Sequence, residues 1–209
     1  MRDTMRSGIL GVALTVVAAL SLSSAQAQMR PAAGMGNQIL DVPEKPGYVP
    51  SPEEEQLDPA FRRQPVYFRS NEAPGTIVIH TNERFLYLVL GPNSALRYGI
   101  GVGREGFQWA GLQKVSRKAE WPDWTPPPEM IQRQPYLPRF MAGGPGNPMG
   151  AAALYLGSTV YRIHGTNQPQ TIGSAVSSGC FRLVNSDVQD LFNRVPVGTK
   201  VVIRQAPEL

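Results

Sequence analysis

The 20 prolines and 21 glycines of this 209-residue chain restrict its fold more than any other feature. Proline removes a backbone hydrogen-bond donor, and glycine loses more conformational entropy on folding than other residues, so long helices are disfavoured. Hydrophobic residues make up 42% of the chain and charged residues 17%, a balance typical of a folded protein. The length suits one domain with appendages. We therefore expect a single core built from short elements joined by long loops.

The N-terminal 27 residues have the pattern of a secretory signal peptide. Arg2 and Arg6 precede an apolar run over residues 9–22, and small and polar residues follow it up to Ala27. The apolar run is shorter than the roughly 20 residues of a membrane-spanning helix, so an uncleaved anchor is the less favoured alternative. We predict a signal peptide over 1–27, cleavage after Ala27 and export to the periplasm.

Residues 28–65 are rich in proline, methionine, glycine and glutamate and follow neither the strand nor the helix period, which predicts a disordered linker. From residue 66 onward, short runs of β-branched and aromatic residues predict a mainly β domain over 66–206. Segments 76–80 and 84–90 are separated by three polar residues and predict a hairpin. The other predicted strands are 95–102, 153–156, 161–164, 180–183 and 199–204.

One short helix is predicted to begin at Ser186. Gln189 lies three residues further on, which is the spacing of a capping box, and Pro196 and Gly198 end the helix. Four apolar residues recur at helical spacing and predict a buried face: Val188, Leu191, Phe192 and Val195.

The segment 104–150 carries all three tryptophans, Trp109, Trp121 and Trp124, together with a triple proline and several glycines. Few regular elements fit such a sequence, so we predict a long loop. Long loops inside compact domains are usually lids or binding loops, and we place the substrate cleft here, with an elaborate surface loop as the alternative. The tryptophans suit either packing against the core or stacking on sugar rings.

Cys180 is the only cysteine, so an internal disulfide is excluded even in an exported chain. A lone thiol is either a small buried hydrophobe or a nucleophile, and a nucleophile needs a base. Of the two histidines, His164 ends an apolar run and is followed by Gly165, where a strand meets a loop. His80 is followed by a polar turn, which favours a structural or exposed side chain. His164 is therefore the candidate base.

The residues around Cys180 suit an activated thiol. Ser177, Ser178 and Gly179 precede it, and the glycine allows a tight turn that aims backbone N–H groups at a developing oxyanion. Arg182 lies two residues beyond, so in an extended segment its side chain is on the same face as the thiol. There it could lower the pKa of the thiol or bind a substrate carboxylate.

These residues resemble the signature of the L,D-transpeptidases, whose catalytic unit is called the YkuD domain. The resemblance rests on His164-Gly165-Thr166 followed by the hexapeptide 177–182, and extends over about residues 75–204, including the stretch 143–150. It implies a β-sandwich with a long lid loop and one short helix after the cysteine. Ser178 stands where many members of the family have a second histidine.

The resemblance also implies a two-step acyl transfer on peptidoglycan stem peptides. Cys180 would attack the carbonyl of the third stem residue, a diamino acid, release the terminal D-alanine and form a thioester. His164 would be the base, oriented by a backbone carbonyl, and the N–H groups of Gly179 and Cys180 would form the oxyanion hole. The remaining candidate substrate-binding residues are Arg182, Ser177, Ser178, Gly165, Thr166 and Trp124.

Several functions use this same thioester. The acceptor can be a second stem, which gives cross-links between diamino acids, or water, or an outer-membrane protein, and the sequence does not separate them. A wall-binding module without activity is less favoured because His164 and Cys180 are both present, and a redox protein would lack a resolving cysteine. Carbapenem-type inhibitors are expected to acylate the thiol. The net charge of +4 does not imply nucleic acid, and we expect no metal and no cofactor.

Overall fold

The computed structural model describes residues 57–205. The predicted signal peptide, most of the predicted linker and the last residue of the predicted domain lie outside this range. Two α-helices lie within it, α1 (Pro128–Arg133) and α2 (Asn185–Arg194). The strands are β1 (Gln64–Tyr67), β2 (Ile77–His80), β3 (Phe85–Gly91), β4 (Ser94–Gly99), β5 (Val102–Gly103), β6 (Gly111–Glu120), β7 (Ala152–Leu156), β8 (Arg162–His164), β9 (Ala175–Ser177), β10 (Phe181–Arg182) and β11 (Lys200–Arg204).

Nine strands form one continuous sheet in the order β1-β4-β3-β2-β11-β6-β7-β8-β10, and β5 pairs with β9. The predicted hairpin is confirmed as the antiparallel pair β2–β3. The long strand β6 belongs to both halves of the sheet. Residues 111–114 pair with β11 and residues 115–120 pair with β7, with a register shift after Val115. The sheet therefore changes direction along β6.

The two halves of the sheet enclose the largest of the hydrophobic clusters. Ile77 and Ile79 from β2 share one buried cluster with Leu154 from β7, Ile163 from β8 and Phe181 from β10. Packing the inner faces of both halves into one core is the arrangement of a β-sandwich. The predicted mainly β class is thus confirmed.

Within residues 57–205, no helix is long and apolar enough to cross a membrane.

The segment 104–150 is not the irregular loop that the sequence predicts. It contains β6, the longest strand among the described residues, and the helix α1, which was not predicted from the sequence. The strand escapes pattern recognition because Val115 is its only buried side chain. Its backbone pairs with a strand on each side, and these hydrogen bonds hold it extended.

Helix α2 begins one residue earlier than predicted, and the predicted capping box is wrong. Val184 is the N-cap residue and no side chain caps the first turn, because Ser186 already lies inside the helix. Asn185 instead accepts a hydrogen bond from the N–H of Ala151 at 2.9 Å, which ties the start of the helix to the start of β7. The predicted inner face is confirmed: Val188, Leu191 and Val195 are buried, and Phe192 packs partly buried against the core.

Other boundaries also shift. Regular structure begins inside the range predicted as linker, with a 3₁₀ turn at Pro59–Phe61 and β1 from Gln64. The ring of Phe61 packs on Phe85 with centroids 5.4 Å apart. The predicted strand 95–102 is divided between β4 and the start of β5.

A buried carboxyl lies where the first described residues meet helix α2. Asp187 is 4% exposed, and Arg63 approaches its Oδ1 at 3.7 Å and Oδ2 of Asp190 at 3.0 Å. Burial is the largest cause that raises the pKa of Asp187 from 3.8 to about 6, and the Arg63 charge only partly opposes it. For Asp190, burial is outweighed by hydrogen bonds from Arg194 and Tyr98, so its pKa is held below the ordinary value.

Asp187→Asn should therefore remove a pH-dependent loss of stability. A carboxyl whose pKa rises on folding favours the folded state while it is protonated, and this contribution disappears as the pH rises from about 4 to about 6. The free energy of unfolding of the variant, relative to that of the wild type, should therefore increase by about 2 kcal/mol between these two pH values. Urea denaturation measures this difference. Asp190→Asn is the control: because the pKa of Asp190 is lowered, its pH-dependent contribution lies below about pH 4, and this variant should stay parallel to the wild type across the same pH range. Parallel pH curves for wild type and Asp187→Asn would contradict the assignment.

Candidate active site

Strand alternation places the candidate catalytic residues on one face of the half-sheet β7-β8-β10. In the parallel pair β8–β10, Phe181 is level with Ile163 and Arg182 is level with His164. Phe181 and Ile163 point into the core, so His164 and Arg182 point to the opposite face. Cys180 directly precedes β10 and shares the face of Arg182, two residues on. The fold thus gathers the thiol, the imidazole and a guanidinium on one surface.

A cavity of about 500 Å³ covers this surface. Its other wall comes from the segment between β6 and β7, where Trp124, Met130 of α1 and Met149 belong to a second hydrophobic cluster. Cys180 is partly exposed, so the thiol is not sealed in the core. The full lining is Trp124, Pro127, Met130, Pro148, Met149, Val160, Tyr161, Arg162, His164, Ser177, Ser178, Cys180 and Arg182.

The imidazole of His164 is buried and held in one tautomer. Its Nδ1 lies 2.6 Å from the carbonyl oxygen of Gly165, and since a carbonyl only accepts, Nδ1 carries the proton. Nε2 of the neutral ring is then the acceptor. Burial is the largest cause that lowers the pKa of His164 from 6.5 to about 3, and the positive charges of Arg182 and Arg162 lower it further. The ring is therefore a neutral base at physiological pH.

The turn before the cysteine is fixed by side chains on both sides. The hydroxyl of Ser177 donates to the carbonyl of Cys180 at 2.6 Å and accepts the N–H of Gly179 at 3.2 Å. Nε1 of Trp109 donates to the carbonyl of Gly179 at 2.9 Å, and its ring stacks on Tyr161 with centroids 4.5 Å apart. Gly179 has φ +105, and a Cβ there would lie 2.5 Å from Tyr161, so only glycine fits.

Most of the predicted site residues meet at the cavity. Ser177, Ser178, Arg182 and Trp124 line it together with His164 and Cys180. Ser178 also accepts a hydrogen bond from Arg133 at 3.4 Å.

Gly165 and Thr166 lie behind the cavity wall instead. The carbonyl of Gly165 holds His164, and Oγ1 of the buried Thr166 accepts the N–H of Gln168 at 3.0 Å. Their contact with a substrate stays a prediction. The N–H of Gly179, predicted to bind an oxyanion, is already engaged by Ser177.

The sequence predicted no role at the site for Arg162 or Tyr161, and it left Trp109 open between packing against the core and stacking on sugar rings. Arg162 lies two residues before His164 in β8, so the same alternation that assigned Arg182 to the thiol face assigns Arg162 to it as well. Tyr161 and Trp109 carry no such signal, because they meet only through folding of segments far apart in the sequence.

The second histidine belongs to a separate structural cluster. His80 is 6% exposed, and its Nδ1 lies 3.0 Å from Oε2 of Glu83, which also accepts the hydroxyl of Tyr87 at 2.9 Å. Of the predicted alternatives for His80, the structural one is confirmed. Among residues 57–205, no group of three or more histidine, cysteine, aspartate or glutamate side chains is arranged to hold a metal ion.

The neutral state of His164 can be measured by histidine ¹⁵N NMR. Since burial lowers the pKa of the ring, we expect the neutral Nδ1–H tautomer to persist from about pH 8 down to about pH 5, without the transition near pH 6.5 of a free histidine. In Arg182→Gln the loss of one repelling charge should raise the pKa of His164, while burial keeps it below the ordinary value. A His164 that titrates near pH 6.5 in the wild type would refute the buried, carbonyl-bound arrangement.

Comparison with known proteins agrees with this geometry. The family model of the YkuD L,D-transpeptidase catalytic domain matches residues 74–203. A probable L,D-transpeptidase ErfK/SrfK from Escherichia coli (strain K12) is 42% identical over 141 residues, which cover 64% of this chain and 44% of the relative. The chain thus spans less than half the length of this relative.

Two solved structures are also similar. The Ldtfm-avibactam carbamoyl enzyme has a TM-score of 0.52 at 19% identity, over 65% of this chain and 51% of that one, which shows the fold. A Brucella melitensis chain named a probable carnitine operon oxidoreductase caia is 50% identical, over 72% of this chain and 98% of that one, but its TM-score of 0.48 supports no conclusion here. On the family match, which spans more than half of its residues, this chain belongs to the L,D-transpeptidase family and carries its YkuD-type catalytic domain.

Proposed function

We propose that this protein is an L,D-transpeptidase that forms cross-links between diamino acid residues of peptidoglycan through a thioester on Cys180. One observation supports this above all. The thiol and the neutral imidazole of His164 line the same open cavity, and the bond from Nδ1 to the carbonyl of Gly165 leaves Nε2 as the proton acceptor. A nucleophile beside an oriented base is the arrangement that acyl transfer requires.

In the first step, Nε2 of His164 takes the proton of Cys180 while sulfur attacks the carbonyl of the third stem residue. The C–S bond forms, and the tetrahedral intermediate then expels the terminal D-alanine. As the C–N bond breaks, the protonated His164 returns its proton to the leaving amine. The products are a thioester on Cys180 and free D-alanine, with the proton balance closed.

In the second step, the side-chain amine of a diamino acid on another stem attacks the thioester. His164 takes a proton from this amine, the C–S bond breaks, and the thiolate of Cys180 takes the proton back. The new amide joins two diamino acids, and the enzyme returns to its starting state.

The oxyanion of both steps would be bound by the backbone N–H groups of Gly179 and Cys180. The hydroxyl of Ser177 accepts the N–H of Gly179 at 3.2 Å, near the long limit of such bonds, so a charged oxyanion can compete for this donor. The bond from Ser177 to the carbonyl of Cys180 supports the same turn from the other side. Ser177 would therefore act by positioning the turn.

The cavity suits an anionic peptide. Arg162 and Arg182 line it, and none of its lining residues within 57–205 is aspartate or glutamate. Positive charge at this face favours the thiolate form of Cys180 and attracts the carboxylates of a stem peptide. Trp124 and Ser178 at the rim would contact the remainder of the stem, with Gly165 and Thr166 shaping the turn beneath His164.

Water or an outer-membrane protein is the alternative acceptor, because the thioester is common to all three reactions. A binding module without activity would need neither the thiol nor the imidazole. The proposed location is the periplasm, after removal of residues 1–27 as a signal peptide, with the part of 28–65 that precedes the turn at Pro59–Phe61 as a linker.

Intact-protein mass spectrometry after incubation with a carbapenem tests the nucleophile. The wild type should take up one drug molecule covalently and Cys180→Ala none. His164→Gln should acylate at least about 100-fold more slowly, because it lacks a general base. Tyr136→Ala, an exposed position outside the cavity, is the matched control and should behave as the wild type. Covalent uptake by Cys180→Ala would exclude Cys180 as the nucleophile.

The acceptor is decided by muropeptide analysis of cells with and without the gene. A cross-linking enzyme predicts dimers joined between diamino acids that disappear with the gene. Shortened stems without such dimers would instead identify a carboxypeptidase, and stems that carry protein would identify an attachment enzyme.

A further inference from the structure

Arg162 lines the cavity and has a hydrogen-bond donor that lacks an acceptor in the part of the chain that the structure describes. It is half-buried in the cavity wall, and within residues 57–205 its Nε is buried without a hydrogen-bond partner. The guanidinium carbon lies 5.3 Å from the centroid of the Tyr155 ring, which favours a cation nearby. Leaving a buried donor of a charged group unpaired is costly, so a ligand with acceptor oxygens would be bound strongly here.

The chemistry of the cavity specifies what kind of acceptor fits. No aspartate or glutamate within residues 57–205 lines the cavity beside Arg162, so its charge is not neutralised by a lining carboxylate. A planar guanidinium matches a carboxylate in shape as well as in charge. The expected ligand of Arg162 is therefore a substrate carboxylate.

The strand register indicates which carboxylate this is. Arg162 and Cys180 directly precede the paired residues Ile163 and Phe181, and both side chains line the cavity. Arg182 lies two residues after Cys180 and is level with His164. A carboxylate bound by Arg162 would therefore share the cavity with the carbonyl that Cys180 attacks.

In the proposed donor, the carboxylate of the leaving residue fits this position. It is separated from the attacked carbonyl carbon only by the amide nitrogen and one α-carbon. The other carboxylates of the stem are separated from this carbonyl by more bonds.

We propose that Arg162 is a specificity-determining residue that binds the free carboxylate of the leaving residue. This rests on the proposed transpeptidase function. It assigns Arg162 the selection of the donor, whereas His164 and Cys180 perform the chemistry.

The test compares two donors that differ only at this carboxylate: a disaccharide stem tetrapeptide ending in D-alanine, and the same molecule ending in D-alanine carboxamide. We expect the wild type to release D-alanine with a kcat/KM about 30-fold or more above that for release of D-alanine amide. Arg162→Gln should lose most of this advantage by slowing the acid donor and leaving the amide donor within about threefold of the wild type. Arg162→Lys should recover part of the preference, since it restores the charge without the planar fork.

Arg117→Gln is the matched control. The guanidinium of Arg117 packs on the same Tyr155 ring at 3.6 Å from its centroid, but the side chain is exposed and does not line the cavity. It should keep the wild-type preference for the acid donor. Thermal melting of each variant verifies that it is folded.

The outcomes separate this proposal from the function on which it rests. If Arg162→Gln slows both donors equally, Arg162 assists the thiol and does not select the carboxylate, and the proposal fails. Equal use of both donors by the wild type also overturns it, while the transpeptidase function stands. If the wild type forms no acyl-enzyme with either donor, the transpeptidase function falls and the donor subsite falls with it.

Discussion

The register of the parallel pair β8–β10 is the constraint on which the rest of the site depends. It sets His164 level with Arg182 and Ile163 level with Phe181, so every second residue of each strand faces the cavity and the others face the core. A slip of one residue would exchange the two faces. The core side prevents this slip, because Ile163 and Phe181 are packed in the hydrophobic cluster, where polar or charged side chains would find no hydrogen-bond partners. The hydrophobic core thus determines the geometry of the polar face.

The polar face in turn depends on the segment that covers it. Trp124, Met130, Leu137 and Met149 form their own apolar cluster over the half-sheet, and the bond from Asn185 to Ala151 fixes the start of β7 beneath it. Covering the face removes water from His164, and this desolvation keeps the ring neutral. The long segment between β6 and β7 therefore shapes the cavity and also lowers the pKa of His164 by excluding water.

Short sequence patterns predicted the features that depend on neighbouring residues in the chain. The spacing of His164, Gly179 and Cys180 identified the candidate site. Runs of β-branched and aromatic residues predicted β2, β3, β8 and β11, and period-two alternation predicted the side of the sheet that Arg182 occupies. These patterns failed for β6, whose side chains are mostly exposed and whose extended shape comes from pairing with distant strands. They also failed for the capping box, because the tie from Asn185 to Ala151 is a long-range contact. The contact of Trp109 with Tyr161 is invisible to sequence for the same reason.

A backbone carbonyl as the orienter of His164 matters for the charge of the whole cavity. A carboxylate in that position would also hold the Nδ1–H tautomer, but it would raise the pKa of the ring and add a negative charge beside the anionic stem of the proposed substrate. The carbonyl of Gly165 is uncharged and does not titrate, so the orientation of the ring does not change with pH. No aspartate or glutamate is among the described residues that line the cavity with Arg162 and Arg182. An aspartate that oriented the ring would also repel an anionic substrate. The carbonyl of Gly165 orients the ring without this repulsion.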